Sequence, residues 1–380
     1  MDKVLPQIRR YSELDWLRVI LIFAVFLHHV FMPFNGDGWH VMNNESSTVL
    51  DDIMVYFEQL RLQALFFIAG AGSLLLLQKM SAKSFMISKF HRLFIPLLVG
   101  MILIVPPQNY FENIADYESL LSAYSQLMWS FDNNHLWFIE FLLIFMLLAI
   151  PFKCFLDGAT GTVWLKWLER LSQSPYGLLS LGLVLVIVRG LAKYLMPDDS
   201  HHIENLSLSL FYLFFFLAGM SFIYSGQVWQ TLALHRRTYL ISLLISTLLF
   251  YAYYYSPDLS PYLSLTARWQ IWWWVCTMVS WSGLLTMVGF ASAYINRTPT
   301  WLQQTNELIY PFYILHQTVI VMLAFYIVQW QAGIMIKSLS LLVSAFIICV
   351  ALCYWVIKPF NLMRYLFGLK KLNPRGPETQ

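Results

Sequence analysis

Residues 14–35 read LDWLRVILIFAVFLHHVFMPFN: Asp15 and Arg18 near the start, nine apolar residues, then the pair His28-His29 and a further apolar turn. The hydrocarbon core of a bilayer is about 30 Å thick, so a helix that crosses it needs about 20 mostly apolar residues, and this run has that length. Lys3, Arg9 and Arg10 precede it, as they would in a secretory signal. The apolar run is too long for one and no small-residue cleavage site follows, so the helix is expected to be retained.

Nine further runs of this kind follow, at 60–78, 92–108, 136–152, 176–195, 206–224, 239–255, 271–294, 308–330 and 338–358. The expected fold is all-α, a polytopic integral membrane protein with about ten transmembrane helices. It is read as one membrane domain over 1–370 and a short cytoplasmic tail at 371–380. Of the 380 residues, 58% are hydrophobic, 17% aromatic and only 12% charged, where soluble domains carry about 25% charged residues. This excludes a soluble enzyme and a disordered chain. The net charge of +3 gives no case for a nucleic-acid partner; the partner implied is the lipid bilayer. Cys154, Cys276, Cys349 and Cys353 show no paired ligand spacing, so no metal is expected. Cys349 and Cys353, four apart in an apolar run, read as lipid- or helix-facing packing, with a metal pair the remote alternative.

Lys and Arg placement sets the orientation. With the N-terminus in the cytoplasm, 19 basic residues fall inside and five outside: Arg61, Arg189, Lys193, Arg268 and Lys337. Acids concentrate in the first two outer loops, among them Asp37, Glu45, Asp51, Asp52, Glu58, Glu112 and Asp132. The expectation is a multi-pass protein of a bacterial inner membrane with both termini cytoplasmic. The outer loops at 36–58 and 109–135 are long enough to build structure over the outer mouth.

An ionisable side chain inside a span is expensive unless paired or hydrated, so each is a functional candidate. Arg18 and His29 are eleven apart, three helical turns plus about 20°, which puts both on one face about 16 Å apart along the axis; His28 points about 80° away. The simpler roles are an arginine reaching the inner headgroups and histidines bonding neighbouring helices. Glu58 and Arg61, at i and i+3, are spaced to pair. Gly70, Ala71 and Gly72 permit close helix approach. The loop at 79–92 holds Lys79, Lys83, Lys89, His91 and Arg92, which serve topology or form an anion site at the cytoplasmic mouth. His135 and Glu140 flank Trp137 in a polar cluster level with His29, and His316 follows Tyr310-Pro311-Phe312-Tyr313 near the midplane. There His316 is either a helix-to-helix hydrogen bond or a cavity wall.

Leu14-Asp15-x-Leu17-Arg18 followed by His29, Phe66-Phe67-x-x-Gly70, Arg92-x-x-x-Pro96, Leu136-Trp137-Phe138 and Tyr313-x-x-His316 resemble, in order and spacing, the motifs of the membrane acyltransferase-3 family. The resemblance covers nearly the whole chain. Trp39-His40-Val41, Arg61-x-Gln63, His135-Leu136-Trp137-Phe138 and Phe211-Tyr212-Leu213 before Gly219 are similar to the branch of that family associated with succinylation of osmoregulated periplasmic glucans. Many members that acetylate surface polysaccharide place a Glu five residues after a Trp in the fourth helix. Here Glu140 stands three after Trp137, so no catalytic role is carried over to it. The chain is also expected to lack the extracytoplasmic hydrolase-like domain of some relatives.

The resemblance implies a membrane O-acyltransferase that moves a succinyl or acetyl group from cytoplasmic acyl-CoA to a hydroxyl of a periplasmic or cell-envelope glycan. On this reading Arg18, Lys89 and Arg92 bind the acyl-CoA phosphates and His29 is the catalytic base. Trp39, His40, Arg61, His135, Trp137, Tyr313 and His316 form the acceptor side or cavity. Arg61 is the cation nearest to a succinyl carboxylate. Acyl-CoA is a co-substrate, no cofactor is permanently bound, and glucan-synthesis machinery is a further expected partner. Two other readings remain open: a transporter of an anionic or glycan substrate with histidine proton relays, and an inactive scaffold of an envelope-polysaccharide complex.

Overall fold

The computed structural model describes residues 11–196, 200–295 and 297–372. Lys3, Arg9 and Arg10, and the tail from 373 with Arg375, lie outside the described residues. Helices α1 (Ser12–Asn35) and α2 (Thr48–Leu77) are joined by the loop at 36–47. α3 (Ala82–Glu112), the short α4 (Leu120–Leu127), α5 (Asn134–Asp157), α6 (Ala159–Gln173), α7 (Gly177–Leu195) and α8 (Leu206–Tyr224) follow. Then come α9 (Gly226–Leu234), α10 (Arg236–Tyr254), α11 (Leu265–Tyr294), α12 (Thr300–Ile327), α13 (Ile334–Ile357) and α14 (Asn361–Leu366). Several starts are set by side-chain caps. Ser47 Oγ accepts from the Leu50 amide, Asn205 Oδ1 from Leu208 and Ser264 Oγ from Ala267. α1 ends on Gly36 at φ +94°, a left-handed conformation that favours glycine.

Among the described residues, nine helices are long and apolar enough to cross a membrane: α1, α2, α3, α5, α7, α8, α11, α12 and α13. The tenth run expected, at 239–255, is the 19-residue α10, which falls below that apolarity because Arg, Tyr, Thr and Ser interrupt it. It packs along α11 and exposes a stripe of Ile241, Leu244, Ile245, Leu248 and Leu249 suited to lipid. The expected loop around Lys89 and Arg92 is instead the first part of α3. Helix continues through π-turns at Phe90–Phe94 and Gly100–Ile104, with the Ile95 amide reaching back to the Phe90 carbonyl just before Pro96, which has no N–H to give.

The core forms where α2 meets α8. Gly70 lies against the Phe216 carbonyl and Gly219 against the Phe67 carbonyl, so closely that a Cβ at either would stand 1.9 or 2.0 Å from the oxygen. Both backbones touch because neither position has a side chain, the small-residue packing that membrane helices use. Phe66, Phe67, Phe215 and Phe216 fill the remaining space. Gly70→Ala is therefore expected to force the helices apart and cost about 1–3 kcal/mol, measured as a lower unfolding midpoint in detergent. An unchanged midpoint contradicts this packing. Cys349 and Cys353 are both buried against neighbouring helices.

Candidate active site

α1, α2, α5 and α12 enclose two cavities, one toward each end of the bundle. The one on the Arg18 side, named the inner cavity after the expected orientation, has about 540 Å³ and is walled by Arg18, Lys89 and Arg92 together with Asn306, Glu307, Tyr310 and Lys370. The outer one, about 460 Å³, is walled by His28, His29, Trp39, His40, Arg61, His135, Trp137, Tyr212 and Gln317, among others. Phe138 and Tyr313 line both. α1 serves both as well, with Arg18 and Ile22 on the inner cavity and Val25, His28 and His29 on the outer. The distance expected from helix geometry thus becomes the separation between two cavities.

His29 carries the most constrained chemistry. Its Nδ1 lies 2.7 Å from His316 Nε2, and His316 Nδ1 hydrogen-bonds the Tyr313 carbonyl. A carbonyl oxygen only accepts, so His316 Nδ1 carries the proton. In the neutral ring His316 Nε2 is then the acceptor, and it takes the Nδ1–H of His29. The remaining nitrogen of His29, Nε2, holds the lone pair. The Trp39 ring runs nearly parallel to His29, with centroids 6.2 Å apart and planes 13° apart.

The rest of the outer wall is held by polar contacts. Gln317 Nε2 donates to Asn134 Oδ1 at 2.8 Å and to His40 Nε2 at 3.0 Å, which leaves the His40 Nδ1–H to donate to Glu112. Outer loops and α12 are thereby joined over the mouth. Asn134 holds φ +37°, a left-handed conformation that Asn tolerates. His135 Nε2 donates to the Ile314 carbonyl at 3.1 Å, and the His135 carbonyl accepts from the Tyr313 hydroxyl. Among the described residues His135 Nδ1 has no partner and stays buried.

Three expectations change on contact with this geometry. Glu58 and Arg61 form no ion pair within 4.0 Å among the described residues; both line the outer cavity, and Arg61 is buried with Nε and Nη1 unpartnered. The three-residue spacing allowed a pair, but the helix aims the guanidinium inward while Glu58 stays exposed. Glu140 bonds Asn133 Nδ2 at 2.6 Å rather than His135. His28 lines the outer cavity beside His29, despite its different helix face.

Sequence reading missed His201, His202, Tyr212, Gln317 and Lys370 as wall residues. His201 packs against Trp137, with ring centroids 5.1 Å apart. Burial holds its pKa below the ordinary histidine value, so it is neutral at pH 7. Tyr212 stands in the Phe211-Tyr212-Leu213 motif, but only tertiary contacts mark it and the others as cavity walls.

The acyltransferase-3 family model, described as an acyltransferase domain, matches residues 11–358. Curated relatives include the glucans biosynthesis protein C of Escherichia coli K12 and its counterparts in E. coli O1:K1 and O139:H28. Each is 26% identical over 231 residues, 58% of this chain and 60% of the relative, so the alignment spans well under two thirds of those proteins. No solved structure matches the chain.

Proposed function

The chain belongs to the acyltransferase-3 family and is a multi-pass membrane acyltransferase, and we propose that it transfers a succinyl or acetyl group from cytoplasmic acyl-CoA to a hydroxyl of a periplasmic glycan. The observation that carries this is the pair of cavities sharing Phe138 and Tyr313, cations lining one and the His29 base the other. A polyanionic donor and a neutral sugar need such different surroundings, and only a narrow thioester arm has to pass between them.

Arg18, Lys89 and Arg92 hold the phosphates of the donor at the inner cavity, where Lys and Arg suit them. The pantetheine arm runs along the α1 face past Phe138 and Tyr313 and brings the thioester to His29. The sugar hydroxyl approaches from the outer cavity between Trp39, Trp137 and the polar wall. His29 Nε2 takes the hydroxyl proton as the oxygen attacks the thioester carbonyl, the C–S bond breaks, and the thiolate leaves with the coenzyme. His316 keeps the Nδ1–H of His29 engaged, so the lone pair faces the reaction. Arg61, buried with Nε and Nη1 unpartnered among the described residues, suits the free carboxylate of a succinyl group at this depth. The Lys and Arg distribution and the named relatives favour a bacterial inner membrane with the inner cavity on the cytoplasmic side.

The direct test is thiol release from succinyl-CoA or acetyl-CoA by purified protein with a glucan acceptor. The expected result is free CoA and an acylated glucan in equal amounts. Moved but unmodified substrate identifies a transporter instead. Arg92→Gln is expected to weaken acyl-CoA binding about tenfold, the loss of one charge-assisted phosphate contact. Unchanged affinity removes Arg92 from the donor site.

A further inference from the structure

The chain does not leave the bundle after α13. It turns at Phe360, forms α14 and folds back, so that Gly368, Leu369 and Lys370 become part of the inner cavity wall. One buried side chain pins this strap. Arg364, 4% exposed, donates through Nη2 to Glu307 Oε1 of α12 at 2.6 Å, through Nη1 to the Lys358 carbonyl at 3.1 Å, and through Nε to the Lys370 carbonyl. The Leu372 amide donates to Asn361 Oδ1 at 2.8 Å, closing the strap on its own start. Gly368 lies flat on α3 at φ +73°, where a Cβ would stand 2.7 Å from the Arg92 carbonyl and 2.9 Å from the Tyr310 ring.

The charges give this arrangement a meaning. Among the described residues the inner cavity wall holds four cations, Arg18, Lys89, Arg92 and Lys370, and a single acid, Glu307. A free carboxylate there opposes a phosphate ligand, and Arg364 removes that opposition by pairing with it. The same guanidinium fixes the backbone of Lys370, the only one of the four cations that does not come from α1 or α3.

We propose that the strap at 361–370 is a working part of the donor site: Lys370 is a fourth phosphate-binding cation, and Arg364 is a positioning residue that seats it and neutralises Glu307. This rests on reading the inner cavity as the site of acyl-CoA. The ligand chemistry is a polyphosphorylated nucleotide thioester, and coenzyme A itself is the probe.

The test measures CoA affinity and the KM for acyl-CoA in full-length protein, wild type beside Lys370→Gln, Lys370→Arg, Gly368→Ala and Arg92→Gln. Lys370→Gln is expected to raise Kd and KM about fivefold with kcat unchanged, and Lys370→Arg to restore them, because a single exposed cation–phosphate contact is worth about 1 kcal/mol. Gly368→Ala should raise KM at least as much, since the strap must lift. Arg364→Met is a supporting variant, and a normal melting midpoint shows that it still folds. If Arg92→Gln weakens binding while the Lys370 and Gly368 variants bind like wild type, the strap proposal is overturned and the donor site stands. If wild type binds CoA and Arg92→Gln changes nothing either, the donor site itself is misplaced.

Discussion

His29→Ala is expected to abolish detectable acyl transfer while the protein still inserts, folds and binds acyl-CoA. Binding survives because the cations proposed to hold the phosphates lie on the inner cavity, away from the outer wall that His29 occupies. The chemistry fails because His29 lines the outer cavity and its Nε2 keeps the lone pair once Nδ1–H is given to His316. A positioned general base contributes about 10²–10⁴-fold, so the rate should fall by that factor. Single-turnover measurement with saturating succinyl-CoA isolates the chemical step from binding. Normal acylation by this variant removes His29 from the mechanism.

His316→Leu carries the second large effect, with a different signature. Leucine fills much of the ring's space but accepts nothing, so the Nδ1–H of His29 loses its partner and the ring is free to turn or change tautomer. kcat should fall about 10²-fold, the lower end of the range for acid–base catalysis, while the KM for acyl-CoA stays the same. His316→Gln keeps an acceptor and is expected to recover part of the rate. Equal losses in both variants, or a rise in KM alone, assign His316 to packing rather than to orienting the base.

Nine of the ten expected apolar spans and the shared face of Arg18 and His29 were legible in the sequence because both follow from helix geometry along one segment. The Gly70 approach to α8 was legible as a tendency, although its partner Phe216 was not. What stayed hidden depends on contacts between distant segments. His29 and His316 are 287 residues apart, and no periodicity specifies their hydrogen bond. Glu58 and Arg61 illustrate the converse. Local spacing promised an ion pair, and the tertiary environment of α2 turned the guanidinium into a cavity wall instead. The start of α3 was placed ten residues late because Pro96 and the bases before it read as a loop, whereas π-turns carry the helix through. Lys370 seemed to mark only the end of the membrane domain, since nothing local shows that Arg364 folds it back onto the inner cavity.

The central claim is that the donor is used from the Arg18 side and the acceptor from the His29 side of one membrane protein. Proteoliposomes of uniform orientation test it, with radiolabelled succinyl-CoA or acetyl-CoA sealed on one side and a glucan acceptor on the other. The account predicts labelled glucan only when acyl-CoA faces the Arg18–Lys89–Arg92 cavity and glucan faces the His29 cavity, with none when the two are exchanged. Labelling that requires both substrates on the same side, or glucan that crosses unlabelled, contradicts it.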